Sequence, residues 1–274
     1  MKLDMNRAWT EALSLIQANI GVVAAVAGVF FFLPYLAFVL FMPDVSAMGI
    51  ESNPQDPTAA FNQVMALYAD IWWMVALLTI AQTIGTLALL ALLRAGNRPT
   101  VGQAIAIGAI GFLTSIAATI IFYIGFSVVA GLILGAAAAV GVTALTVILG
   151  IAIFVAFVYI AIKLSLLAPV IAIEKVYNPL AAMMRSWRLT KGNSVRLFFF
   201  YLLLLVAFII VSTVISLVLG LVFALAGEQA ALFGQGIVSG LTNAVMIVVA
   251  ICVLAAVHTQ FMRLAGGPTE PADA

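Results

Sequence analysis

Charge is nearly missing from this sequence. Only 8% of its 274 residues are Asp, Glu, Lys or Arg, against roughly a quarter in a soluble domain. That deficit excludes an ordinary water-soluble fold, and a net charge of +1 gives no footing for nucleic-acid binding. Cys252 is the single cysteine, so neither a disulfide framework nor a thiolate metal cluster is available; within its apolar run it reads as a small hydrophobe. His258 is the single histidine. Metal-assisted hydrolysis needs several carboxylates and histidines converging on one place. Zinc-ligand spacings, a GxSxG nucleophile turn and a phosphate-cradling glycine loop are missing as well. These gaps argue against an enzyme, and no cofactor or metal is expected.

Apolar sequence dominates: 66% of residues are hydrophobic and the mean hydropathy is +1.28. A membrane-crossing helix needs about 20 such residues at a rise of 1.5 Å each. Six runs qualify, at 19–42, 70–93, 107–134, 137–163, 195–226 and 231–262. Little more than GAAAAVG separates the third from the fourth, which predicts a tight helical hairpin. Strand-like alternation is lacking, so the fold class is all-α: a polytopic membrane protein with six transmembrane helices in one domain, residues 1–265. The tail at 266–274, rich in Gly, Pro and acid, reads as disordered. VSA at 45–47 resembles a signal cleavage site, but the run before it far exceeds a signal core of about 7–15 residues.

Cation placement sets orientation. With the N-terminus inside, Lys2, Arg7, Arg94, Arg98, Lys163, Lys175, Arg185, Arg188, Lys191, Arg196 and Arg263 all fall on the cytoplasmic side, which accounts for all 11. The outer segments carry Asp44, Glu51, Asp56, Asp70 and Glu228 and no cation. Both termini are therefore expected in the cytoplasm. Tyr68, Trp72 and Trp73 would mark the outer interface, and Trp9 and Trp187 the inner one.

Two segments predict helices lying in the cytoplasmic interface. In NPLAAMMRSWRLTKGN, residues 178–193, Asn178 can cap and Pro179 suits the first helical position. Leu180, Met183, Met184 and Trp187 form an apolar stripe beside Arg185, Arg188 and Lys191, and Gly192 can end the helix, giving about 178–191. Near the start, at about 4–17, Met5, Trp9, Ala12, Leu13 and Ile16 repeat the spacing. A weaker version, with Val101, Ile105 and Gly108, precedes the third span, so the chain reads as three units of an interfacial segment and two spans. Thr58 can cap a further helix, carrying Phe61, Val64, Met65 and Tyr68, that runs into the second span.

Among charged residues, Glu174 is placed to form an interfacial ion pair with Arg185 and Arg188. His258, near Thr259, Gln260 and Arg263, reads as hydrated at the interface. Inside the membrane, Gln82, Ser239 and Asn243 are candidates for interhelical polar contacts, and Gly131/Gly135 and Gly236/Gly240 for close helix approach. No charge lies near mid-membrane, so an ion-coupled path lacks its usual carrier.

Residues 164–204, LSLLAPVIAIEKVYNPLAAMMRSWRLTKGNSVRLFFFYLLL, combine a span ending in Ala168-Pro169 and the acid Glu174 with a Pro-started helix carrying Ser-Trp-Arg-Leu-Thr-x-Gly and a following span. This arrangement resembles the membrane domain associated with some bacterial glycerophosphodiester phosphodiesterases and with stand-alone membrane proteins like it. The resemblance implies a membrane domain without the catalytic barrel. The expected function is non-enzymatic, in envelope or lipid homeostasis or as a partner of other membrane proteins. A carrier for a lipid or other amphiphile through the neutral polar interior is the alternative. Anionic headgroups on the cytoplasmic side are the expected ligands, met by Lys175, Arg185, Trp187, Arg188, Lys191 and Arg196.

Overall fold

The computed structural model describes residues 2–42, 57–93, 99–225 and 227–264; among them there is no strand. Asp44, Glu51, Asp56, Arg94, Arg98 and the 266–274 tail, all part of the sequence reading, lie outside the described residues. Helix α1 (Met5–Ala18) leads into α2 (Ile20–Ala27), a π-helical turn (Gly28–Phe32) and α3 (Leu33–Phe41). There follow α4 (Pro57–Leu92), α5 (Val101–Ala139), α6 (Thr143–Leu164), α7 (Leu167–Ala172), α8 (Pro179–Leu189), α9 (Ser194–Ala224) and α10 (Glu228–Leu264). Six spans are long and apolar enough to cross a membrane: Ile20–Phe41, Phe61–Leu92, Val101–Ala139, Thr143–Ala172, Ser194–Ala224 and Ala230–Leu264.

Prolines set the breaks. Pro34 has no N–H to offer the carbonyl four residues back, and its ring crowds that carbonyl. The preceding turn widens, and the Leu33 N–H reaches Gly28, five residues back, as a π turn requires. Pro169 likewise has no N–H for the carbonyl four residues back, and the fourth span stops at Leu164 and resumes as α7; here the turn tightens, the Ser165 N–H reaching Ile162, three residues back. Polar side chains gather at that break: Ser165 donates to the Ile162 carbonyl at 2.8 Å, and the Tyr201 hydroxyl reaches Ser165 Oγ at 3.3 Å. Val140, Gly141 and Val142 make the hairpin between α5 and α6, with Gly141 at φ +76°.

The segment from Val101 differs from the expected interfacial helix. Thr100 caps it in a reciprocal box with Gln103, and it is the opening of α5, continuous with the span. Likewise α4 starts at Pro57, one residue before the expected cap Thr58, and runs unbroken into the second span.

The contacts divide the chain into two compact units. The first comprises Met1–Ile20, Thr86–Ala207 and Val249–Ala274. All 11 lysines and arginines of the sequence fall in its residue ranges. Within it α5 packs on α6, α7 and α8. Its buried face is made of Ala104, Gly108, Gly111, Thr114 and Ala118. A Cβ at Gly111 would lie 2.8 Å from Ile171 of α7, so glycine is what lets the two backbones approach. Phe122, Phe126 and Phe157 interlock between α5 and α6.

The second unit, Gly21–Gly85 and Phe208–Val248, contains no lysine or arginine. Glycines on α4 and α10 receive the first span. A Cβ at Gly85 would fall on Phe30 and Phe31, and one at Gly240 would lie 3.2 Å from the Phe32 ring. Gly236 meets Leu36 and Leu40 in the same way, so the expected close approach occurs at Gly236/Gly240. Gly131 and Gly135, in the first unit, have nothing within 4 Å.

Candidate functional site

The polar chemistry of the first unit centres on Glu174. After α7, Lys175 turns the chain with φ +58°, a left-handed conformation that side chains other than glycine rarely adopt. The turn returns the Val176 N–H to the Val170 carbonyl at 3.4 Å. Thr114 of α5 fixes the next residue by donating to the Tyr177 carbonyl at 2.7 Å. Asn178 then caps α8, accepting from the Ala181 N–H, with Pro179 at the first position. Glu174 faces inward from this loop.

Both oxygens of Glu174 are engaged. Oε2 accepts from Arg185 Nε at 2.7 Å, and Oε1 lies 2.8 Å from His258 Nε2. An ionised carboxylate can only accept, so Nε2 carries the proton and donates it. Burial pushes the carboxyl pKa up, but the hydrogen bonds from His258 and Arg185 and their charges outweigh burial. The net result is a pKa below the ordinary 4.5. Arg185 also reaches Met262 Sδ at 3.2 Å. Arg188, expected to share the pair, forms no ion pair with Glu174, whose two oxygens meet Arg185 and His258. His258 itself is 2% exposed, not hydrated as its sequence neighbours implied. Its partner is 84 residues away, which no local pattern reports.

Helix α8 docks through small residues. Ala182, Ser186 and Leu189 are buried; Ser186 Oγ donates to the Lys163 carbonyl at 2.8 Å, and Thr190 Oγ1 lies 3.3 Å from the same atom. The stripe of Leu180, Met184 and Trp187 is left exposed. Helix α1 repeats this arrangement: Ala8 and Ala12 are buried while Met5, Trp9 and Leu13 are exposed. Long-range hydrogen bonds fasten α1. The Leu3 N–H donates to Asn193 Oδ1 at 2.9 Å, Arg196 donates to the Leu3 carbonyl at 2.9 Å, and the Asp4 N–H donates to Gln260 Oε1 at 3.0 Å. Glu11 joins Arg7 and Arg263 at 3.0 and 2.8 Å.

The residues expected to meet anionic headgroups therefore separate. Arg185, Arg188 and Lys191 line one pocket of about 270 Å³ with Leu189, Asn193, Phe261 and Leu264. Arg196 is occupied with Leu3, Trp187 lies against Lys163, and Lys175 forms the left-handed turn. In the second unit, Asn243 points its amide at the Phe31 carbonyl in the π turn, at 3.5 Å. Gln82 and Ser239 are half-buried, with no hydrogen bond among the described residues.

A histidine held by a carboxylate is the orienting half of a general-base arrangement. Here the imidazole is shut in, and its partner is shared with an arginine, which suits a structural clamp joining α8, α10 and the loop after α7. Among the described residues no three of His, Cys, Asp and Glu come together.

Fold and polar ties together define a multi-pass, all-helical membrane protein, with ion-paired helices at the ends of its spans. Residues 139–265 match the family described as the membrane domain of glycerophosphoryl diester phosphodiesterase, and the 164–204 motif lies inside that match. The match is to the membrane domain and not to a catalytic one. No curated protein and no solved structure matches the chain.

Proposed function

We propose that this is a non-enzymatic protein of the bacterial inner membrane that binds anionic lipid headgroups on its cytoplasmic side. Its role is in envelope or lipid homeostasis, in company with other membrane proteins. The pocket of about 270 Å³ lined by Arg185, Arg188 and Lys191 carries this reading. No acidic side chain lines it, and only Arg185 has its charge answered, by Glu174. Each basic residue near an anionic bilayer surface contributes about 1 kcal/mol to attraction. The exposed stripes of α1 and α8 give each helix an apolar underside for the bilayer, beside its cations. The placement of all 11 lysines and arginines on the side of the N-terminus, counted along alternating spans, supports cytoplasmic termini. The carrier reading draws less support, since Asn243 directs its amide to a backbone carbonyl.

Replacing Arg185, Arg188 and Lys191 together by Gln should strip anionic lipid from the purified protein, as counted by native mass spectrometry, while the six spans stay inserted. A full anionic complement on the triple variant would refute the headgroup site.

A further inference from the structure

A second feature lies on the other flank of α8. Lys163, in the last turn of α6, is only 3% exposed. Its ammonium sits over two aromatic faces, 5.6 Å from the Tyr159 centroid and 5.5 Å from that of Trp187. Those rings meet edge to face at 6.0 Å. Among the described residues no carboxylate pairs with Lys163, and the charged neighbour acting on it is Lys191, of the same sign. A buried ammonium beside a second cation is an unfavourable arrangement until an anion joins it.

Alongside runs a cleft of about 310 Å³ between α6 and α9, walled by Phe154, Val155, Val158, Ile162, Val195 and Phe198. Tyr159 belongs to both features: it lines the cleft and lies under the ammonium. Ser194, the polar residue of the cleft, has donated its hydroxyl to the Thr190 carbonyl. An apolar cleft that shares Tyr159 with a buried ammonium lacking a carboxylate partner has the polarity of one molecule, with a hydrocarbon chain at one end and a phosphate at the other.

We infer that the cleft between α6 and α9 holds an acyl chain of one anionic phospholipid, whose phosphate is bound between Lys163 and Lys191 and bordered by Trp187. This site shares Lys191 with the headgroup pocket and rests on the proposed affinity for anionic lipid. It adds a chain-binding cleft and a lysine that topology alone had claimed. Any membrane groove is bathed in lipid, so the distinguishing property is selection by headgroup charge.

The test is native mass spectrometry of full-length protein exchanged into nanodiscs of equimolar phosphatidylglycerol and phosphatidylcholine. The wild type should retain one phosphatidylglycerol preferentially. Lys163→Gln should reduce that preference about tenfold, and Lys163→Arg should keep it. Val158→Trp, which fills the cleft without touching charge, should also lose the lipid, and it carries the test if Lys163→Gln does not fold. Arg185→Gln/Arg188→Gln should leave this lipid in place while emptying the headgroup pocket. Unchanged selectivity in Lys163→Gln or Val158→Trp would overturn the inference, even if the arginine variant loses lipid. Loss of selectivity in Lys163→Arg would overturn it too, by showing that the lysine acts through packing. Loss confined to the lysine and cleft variants would instead leave this site standing and remove the headgroup pocket.

Discussion

Glu174 is held by two donors of different kinds, one buried imidazole and one partly exposed guanidinium. Taking away its charge leaves His258 facing a neutral amide in a buried setting. Glu174→Gln should therefore destabilise by about 1.5–3 kcal/mol, the range for hydrogen bonds to charged groups. The pH dependence has a definite sign. The folded protein holds this carboxyl below its ordinary 4.5, so its stabilising effect is complete above that value and is lost as the pH falls through the folded pKa. Melting temperatures measured in detergent at steps below pH 4.5 should fall more steeply for the wild type than for Glu174→Gln. Parallel curves would mean that Glu174 does not supply the linkage. At this scale the sequence shows the acid and Arg185, eleven residues apart. It conceals His258 and the left-handed turn at Lys175, because both depend on where α10 and α7 come to rest.

The helices associate mainly through small residues, and the same substitution should have opposite effects at two glycines. At Gly85 of α4 a Cβ would land on Phe30 and Phe31, so the added methyl must displace the first span. Gly85→Ala should cost about 1–3 kcal/mol, as overpacking does. At Gly131 of α5 nothing lies within 4 Å, and Gly131→Ala should be neutral or stabilising by up to about 1 kcal/mol through helix propensity. Thermal melts of the two variants decide it, and equal shifts would reject the packing just described. Six spans were legible because twenty-residue apolar runs admit few other solutions. The sequence did not show which glycines lie at contacts, since a GxxxG reads alike on a buried and an exposed face. Nor did it show how the amphipathic helices α1 and α8 dock, for their apolar stripes face outward and their alanines and serine face the protein.

For the whole molecule, the placement of cations makes a claim about sidedness. With the spans alternating in direction, every lysine and arginine falls on the side of the N-terminus and none on the other, and such a bias supports the proposed orientation with both termini in the cytoplasm. Cys252 is buried, so introduced cysteines can be read without much background. In intact spheroplasts a membrane-impermeant maleimide should label Ser52→Cys and leave Lys191→Cys unlabelled until the membrane is broken. Labelling of Lys191→Cys from outside would reverse the assignment.

The tie from Leu3 to Asn193 spans 190 residues of chain. A ribosome adding 5–20 residues per second needs roughly 10–40 s to cover that interval. Until then α1 has made neither this tie nor the later one to Gln260. Four spans are synthesised before the first helix can lock. The earliest part of this protein to be made is thus among the last to be fixed, and its docking closes the assembly.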